Sequence, residues 1–186
     1  MILFINACVR EDSRTKRLVD ALLSELHGPV TELRLEELTF PAVDEAFLRR
    51  RDRLIGEERF DDGSFALARQ FADADTIVIA APYWDLSFPA MLKQYIEQIN
   101  VSGITFRYTS EGIPQGLCRA KRLYYVAAAG GVFVPEEFGF GYVKALAHNF
   151  YGIRDVKSLL AAGLDIVGAD TEKILQDVIR EIPSMV

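Results

Sequence analysis

The run Thr76-Ile77-Val78-Ile79-Ala80-Ala81 constrains the fold more than any other stretch of the chain. It is apolar with no polar alternation, so a strand here is covered on both faces, as in a parallel sheet. Ile2–Asn6 and Leu123–Ala128 read the same way. Val30–Leu35, which alternates, and Val156–Ala161 are two weaker strands. Helical spacing separates them. Thr15–Leu26 places Leu18, Ala21, Leu22 and Leu26 on one side, and Ser64–Ala74 does the same with Phe65, Ala68, Phe71 and Ala72. Pro89–Ile99 opens on a proline, whose missing N–H does no harm at a helix start. Tyr142–Phe150 and Thr171–Ile182 complete the set. Strands alternating with helices predict an α/β fold with a parallel sheet between two helical layers. Five strands in this length predict the doubly wound order 2-1-3-4-5.

Two segments stand outside that alternation. Glu36–Asp62 is charged, holds a helical stretch near Asp44–Gly56, and reads as an excursion between the second strand and the next helix. Ser102–Gly116, with Gly103-Ile104-Thr105-Phe106-Arg107-Tyr108, reads as a strand-like loop before the fourth strand. No repeat or linker divides the chain, so residues 1–186 are expected to form a single domain. The net charge of −6 gives no reason to expect nucleic acid or an anionic membrane as partner. The longest uncharged apolar stretch, Leu123 to Pro135, falls well short of the ~20 residues a membrane helix needs. Cys8 and Cys118 form no CxxC pair, which fits a reducing cytoplasm. With two histidines and no ligand spacing, no metal site is expected.

In a doubly wound sheet, ligands bind beyond the carboxyl ends of the strands. Three loops fall there. After the first strand, Ser13, Arg14 and Thr15 stand at a helix start, where hydroxyls and free backbone N–H groups can surround a phosphate. An ordinary serine cap with solvated arginines accounts for the same residues. After the third strand, Pro82-Tyr83-Trp84-Asp85-Leu86-Ser87-Phe88-Pro89 places aromatics where no helix has begun, a setting for a flat heterocycle or for core packing. After the fourth strand, Ala128-Ala129-Gly130-Gly131 lets a backbone approach a ligand closely, or makes a plain tight turn. There is no GxGxxG and no GxxxxGK[ST], which argues against a dinucleotide fingerprint and a P-loop.

The motifs Ser13-Arg14-Thr15, Ala81-Pro82-Tyr83-Trp84-Asp85-Leu86, Gly103-Ile104-Thr105-Phe106-Arg107-Tyr108-Thr109 and Gly130-Gly131 resemble those of the flavodoxin-like NAD(P)H:quinone oxidoreductases, in particular the FMN-dependent NADH-azoreductases. The resemblance covers nearly the whole chain. It implies a flavodoxin-like three-layer sandwich, non-covalent FMN, and ping-pong transfer of electrons from NAD(P)H to a quinone, azo compound or similar small acceptor. It implies that Cys8, Ser13, Arg14 and Thr15 line the FMN phosphate. Pro82, Tyr83, Trp84, Asp85 and Leu86 would hold the isoalloxazine, with Ala128, Ala129, Gly130 and Gly131 along its other side. Tyr108 and Phe150 match positions flanking the nicotinamide or acceptor pocket, and Tyr108 or a water can assist proton delivery. The family is typically homodimeric, with the flavin near the subunit interface. Three positions depart from the family pattern: Asp85 replaces Asn, Ala128-Ala129 replaces Ser-Arg, and Cys8 replaces Ser. An ionised Asp85 beside the flavin opposes the anionic reduced ring and lowers its potential.

An electron-transfer module without NAD(P)H activity, or a cofactor-free regulatory relative, would share the same fold. His27 reads as a cation at a helix end. His148 is a surface or packing residue, or one facing a partner's flavin pocket. Arg49-Arg50-Arg51 with Arg53 is a solvated helix face or a site for an NADPH phosphate. Cys118 has no base beside it and reads as inert.

Overall fold

The computed structural model describes residues 1–186. Strand β1 (Ile2–Asn6) is an interior strand with every residue buried. It pairs in parallel with β2 (Val30–Arg34) on one side and β3 (Thr76–Ala80) on the other, so that Ile2 faces both Val30 and Thr76. Beyond β3 lie two more parallel strands, Arg122–Ala128 and Asp155–Ala161. The short strands β4 (Phe106–Tyr108) and β5 (Pro114–Gly116) form a separate antiparallel hairpin. The later sheet strands are therefore β6 (Arg122–Ala128) and β7 (Asp155–Ala161), and the sheet runs β2-β1-β3-β6-β7. With the hairpin set aside, this is consistent with the expected order.

Successive side chains of a strand point to opposite faces. Leu3, Ile5, Ile77, Ile79, Leu123 and Tyr125 enter one core; Ile2, Phe4, Val78, Ala80, Tyr124 and Val126 enter the other. Both faces being apolar is what removed the alternation from the sequence. Helix α1 (Arg14–Glu25) covers the second face with Leu18, Val19 and Leu22, beside Leu175 of α6 (Thr171–Glu181). On the first face lie α3 (Ala66–Asp73) with Phe71, α4 (Ala90–Ile99) with Leu92, Tyr95 and Ile96, and α5 (Phe140–Leu146) with Val143. β2 is covered on neither face as fully, and its alternating sequence shows this.

Helix α2 (Glu45–Gly56) occupies the charged excursion, capped by Asp44, whose carboxylate accepts the Phe47 N–H at 2.8 Å. It docks through Leu54 onto a small cluster with Phe65, Ala68 and Val101. Ser102–Gly116, expected as a strand-like loop, is the β4–β5 hairpin. Arg107 Nε donates to Gln115 at 3.0 Å across it, a cross-strand pair that the run of glycines and aromatics concealed. The helix expected over Tyr142–Phe150 starts at Phe140 and widens into a π turn at Ala147–Tyr151. It stops at Gly152, whose φ of 75° is open to glycine at little cost.

Candidate active site

The carboxyl ends of β1, β3 and β6 are neighbours in the sheet, so the loops that follow them meet. A cavity of about 470 Å³ lies among them. The β1–α1 loop contributes Val9, Arg10, Asp12, Ser13, Arg14 and Thr15. Pro82, Tyr83 and Trp84 come from the loop after β3, Ala128 and Gly130 from the end of β6, and Asp165 from the loop after β7.

The first loop is fixed from beneath. Asn6 is 3% exposed; its side-chain carbonyl accepts the Cys8 N–H at 2.9 Å while its amide donates to Glu32 at 2.7 Å. That bracket turns the chain off the sheet edge. Ser13 then caps α1, its hydroxyl accepting the Lys16 N–H at 3.3 Å. The first intrahelical bond runs from Arg17 N–H to the Ser13 carbonyl at 3.1 Å. The N–H groups of Arg14 and Thr15 precede it and are free of the helix ladder, a ready anion site. Cys8, which the resemblance sets beside the FMN phosphate, is buried in the core under α1 and is not among the residues lining this cavity. Burial pushes its thiol up despite a hydrogen bond to Ser13.

Charge at this end is balanced. Arg14 holds Asp165 at 2.7 Å and 3.4 Å through its two terminal nitrogens. That hydrogen bond, with the guanidinium charge, keeps the Asp165 carboxyl below its ordinary value. Asp165 had no counterpart in the sequence reading. Its one signal is the loop position after the last strand, at the same edge as the other three loops.

The loop after β3 is a tight two-residue turn. Trp84 and Ser87 exchange N–H to carbonyl bonds at 3.1 Å and 2.8 Å. Asp85 and Leu86 sit between them at φ 50° and 67°, the signature of a type I′ turn. Two adjacent non-glycine residues in the left-handed region cost of order 1 kcal/mol each, and such strain concentrates at ligand sites. The turn is tied to its surroundings: Tyr83 N–H reaches the Ala128 carbonyl at 3.1 Å, and Ser87 Oγ donates to the Phe138 carbonyl at 2.5 Å. Trp84 lines the cavity, whereas Asp85 and Leu86 are exposed and do not line it.

Gly130 leaves room for Asp165. A Cβ there would lie 2.9 Å from the Asp165 Cγ and closer still to its Oδ2, while Gly131 faces open space. Ala129 is buried behind the rim, with its N–H on the Ala161 carbonyl at 2.8 Å. Tyr108 and Phe150 are not brought to the cavity. Tyr108, on the hairpin, is 54% exposed. The Phe106 ring stands edge-on between Tyr108 at 5.5 Å and Phe150 at 4.6 Å.

This arrangement defines a three-layer α/β protein with one cavity at a sheet edge, where the α1 N-terminus and the loops after β3, β6 and β7 meet. A family model described as flavodoxin-like fold matches residues 1–185, and the chain belongs to that family. It is 36% identical to the FMN-dependent NADH:quinone oxidoreductase of Clostridium perfringens, over 99% of this chain and 96% of that one. It is 37% identical to the protein of the same name from Clostridium beijerinckii, over 96% and 93%. Among solved structures it resembles the azoreductase of Bacillus anthracis, with a TM-score of 0.85, 26% identity, and 98% and 96% of the two chains covered.

Proposed function

We propose that residues 1–186 form a single flavodoxin-like unit acting as an FMN-dependent oxidoreductase that passes electrons from NADH to a quinone or azo acceptor. The observation that carries this reading is the meeting of the α1 N-terminus, the Trp84 turn and Gly130 around one cavity. The residues present fit FMN. A phosphate is met by the Arg14 and Thr15 N–H groups, the Ser13 and Thr15 hydroxyls, and the guanidinium of Arg14 or Arg10. A planar ring is met by Trp84 and the Pro82–Tyr83 backbone, with small residues at Ala128 and Gly130 on its other side. When bound, FMN supplies the hydride-accepting and electron-donating chemistry. The protein's own task is then to hold the ring, exclude water from one side of it, and admit two substrates in turn.

Cysteines 8 and 118, both free, favour a reducing cytoplasm as the setting. A homodimer is the assembly that suits the site. Tyr108 is largely exposed, as are Val132 and Phe133 at 74% and Phe138 at 56% beside the flavin loops. Large apolar side chains left exposed in number suit an interface with another chain. Tyr108 and Phe150 do not line the cavity of their own chain, so in such an assembly they would meet a flavin only across the interface.

The test is an anaerobic titration of FMN-loaded protein with NADH, followed by FMN binding to a Ser13→Ala/Thr15→Ala variant. Bleaching of the flavin absorbance and weaker FMN binding by the variant are expected. Failure of the protein to take up FMN sinks the reading, and unchanged affinity in the variant removes the phosphate from the α1 terminus.

A further inference from the structure

The basic run on α2 takes no part in the flavin site. Arg49 pairs with Glu45 at 2.5 Å, and Arg50 reaches Asp62 at 3.3 Å. Arg51 is different. It is half-buried, its Nε is sequestered with no hydrogen-bond partner, and its guanidinium lies 5.9 Å from the ring centre of Phe47. A buried N–H on a charged group without an acceptor is costly, and no carboxylate of the chain neutralises this guanidinium.

Arg50 and Arg51 open on a cavity of about 350 Å³ between α2, the segment after β2, the start of α3, and α4. Phe40, Phe47 and Phe65 supply apolar wall. Gln98 of α4, only 8% exposed, brings an amide to the same space. The cavity shares no lining residue with the flavin site. Its size is that of a small-molecule site, and apolar walls with a few convergent polar groups are the usual form of one.

We propose that this cavity binds a small amphipathic carboxylate, with the carboxylate on Arg51 and the apolar chain against the phenylalanines. The planar guanidinium fork matches a carboxylate. A monoanion is favoured over a phosphate ester for two reasons. Arg50 is already engaged by Asp62, which leaves one unpartnered cation. A doubly charged, strongly hydrated group also loses more on entering apolar surroundings. The Gln98 amide can donate to the second carboxylate oxygen. The proposal does not depend on the flavin chemistry.

Octanoate is the probe, titrated into the FMN-saturated protein while the ¹⁵N–¹H signals of the Arg51 Nε–H and the Gln98 side-chain amide are followed. Both signals are expected to move saturably. Arg51→Gln should weaken binding about tenfold or more, the scale of a charge-assisted hydrogen bond. Arg51→Lys should fall between the two, and 1-octanol should bind more weakly than octanoate to the native protein. Those last two comparisons stand even if Arg51→Gln does not fold. Shifts confined to the Ser13 and Trp84 loops would place octanoate in the flavin site and overturn the proposal. So would equal affinity in Arg51→Lys and native protein together with equal binding of 1-octanol. Movement of the Arg51 signal on simple dilution would also overturn it, since a second copy of the chain would then be the occupant.

Discussion

Gly116→Ala tests how the hairpin that carries Tyr108 is held. Gly116 ends β5, and the backbone of the π turn passes directly over it. A Cβ added there would lie 2.5 Å from the Tyr151 carbonyl oxygen, and closer still to Tyr151 C and Gly152 N. Ordinary contact needs roughly 3.5 Å, so the hairpin must retreat by about 1 Å. The obstacle is backbone of a turn anchored by Tyr151, which is 3% exposed and whose hydroxyl donates to Asn100 Oδ1 at 2.7 Å. It has little freedom to yield. Overpacking of this kind costs about 1–3 kcal/mol. Retreat also loosens Phe106 from Phe150, an edge-on pair worth about 0.5–1.5 kcal/mol. The expected loss is therefore about 3 kcal/mol.

Gly112→Ala in the same hairpin separates space from backbone strain. Gly112 has φ 76° and nothing within 4 Å of a new Cβ, so its cost is the left-handed conformation alone, about 1 kcal/mol. Urea denaturation of both variants measures the difference. Steady-state kinetics then asks what the hairpin does, and Gly116→Ala should raise the KM for quinone while FMN stays bound, because no hairpin residue lines the flavin cavity. A Gly112→Ala loss equal to or larger than that of Gly116→Ala would refute the account of how the hairpin docks.

Two further outcomes follow from the charges and phenols. Asp165→Asn frees Arg14 and removes an anion from the phosphate end of the cavity; FMN should bind up to about fivefold tighter, the range of a surface charge effect. Weaker binding, measured by fluorescence quenching, would show that Asp165 orients Arg14 instead. Burial pushes the Cys118 thiol from 9.0 up to about 12, and raises the phenols of Tyr95, Tyr125 and Tyr151. These groups favour the protonated form when folded, so their contribution is complete below pH 9 and is lost as pH rises. For Cys118 the window runs from about pH 9 to 12. Denaturation curves should shift to lower urea across that range, and a flat profile would contradict it.

The fold was legible because burial wrote itself into the strands. Ile2–Ile5 and Ile77–Ala80 are apolar at every position that two helical layers cover, and β2 alternates because it is covered unevenly. The start of α1 was legible because a serine before a helical repeat marks a cap, and Ser13 is that cap. Two features were not. Asp165 is an isolated acidic residue whose role exists only through Arg14, 151 residues away in the chain. The left-handed Asp85-Leu86 turn lacks the glycine that normally announces one; its conformation is set by the paired Trp84 and Ser87 and by the bond from Ser87 to Phe138.

A homodimer whose acceptor side is completed across the interface predicts complementation between two defective chains, and subunit mixing tests it. Tyr108 and Phe150 pack with Phe106, away from the flavin cavity of their own chain. If they close the acceptor pocket, they do so across an interface. A Ser13→Ala/Thr15→Ala chain lacks the phosphate cap but keeps Tyr108; a Tyr108→Ala chain keeps the cap and lacks the tyrosine. Each homodimer is then defective at both sites. A mixed dimer pairs the intact flavin loops of one chain with the intact tyrosine of the other, restoring one site of its two. With random exchange in a symmetric two-chain assembly, about a quarter of all sites recover the native KM for quinone. Activity equal to the mean of the two parents, with no native-KM component after exchange, would place Tyr108 on its own subunit's flavin or remove it from the pocket.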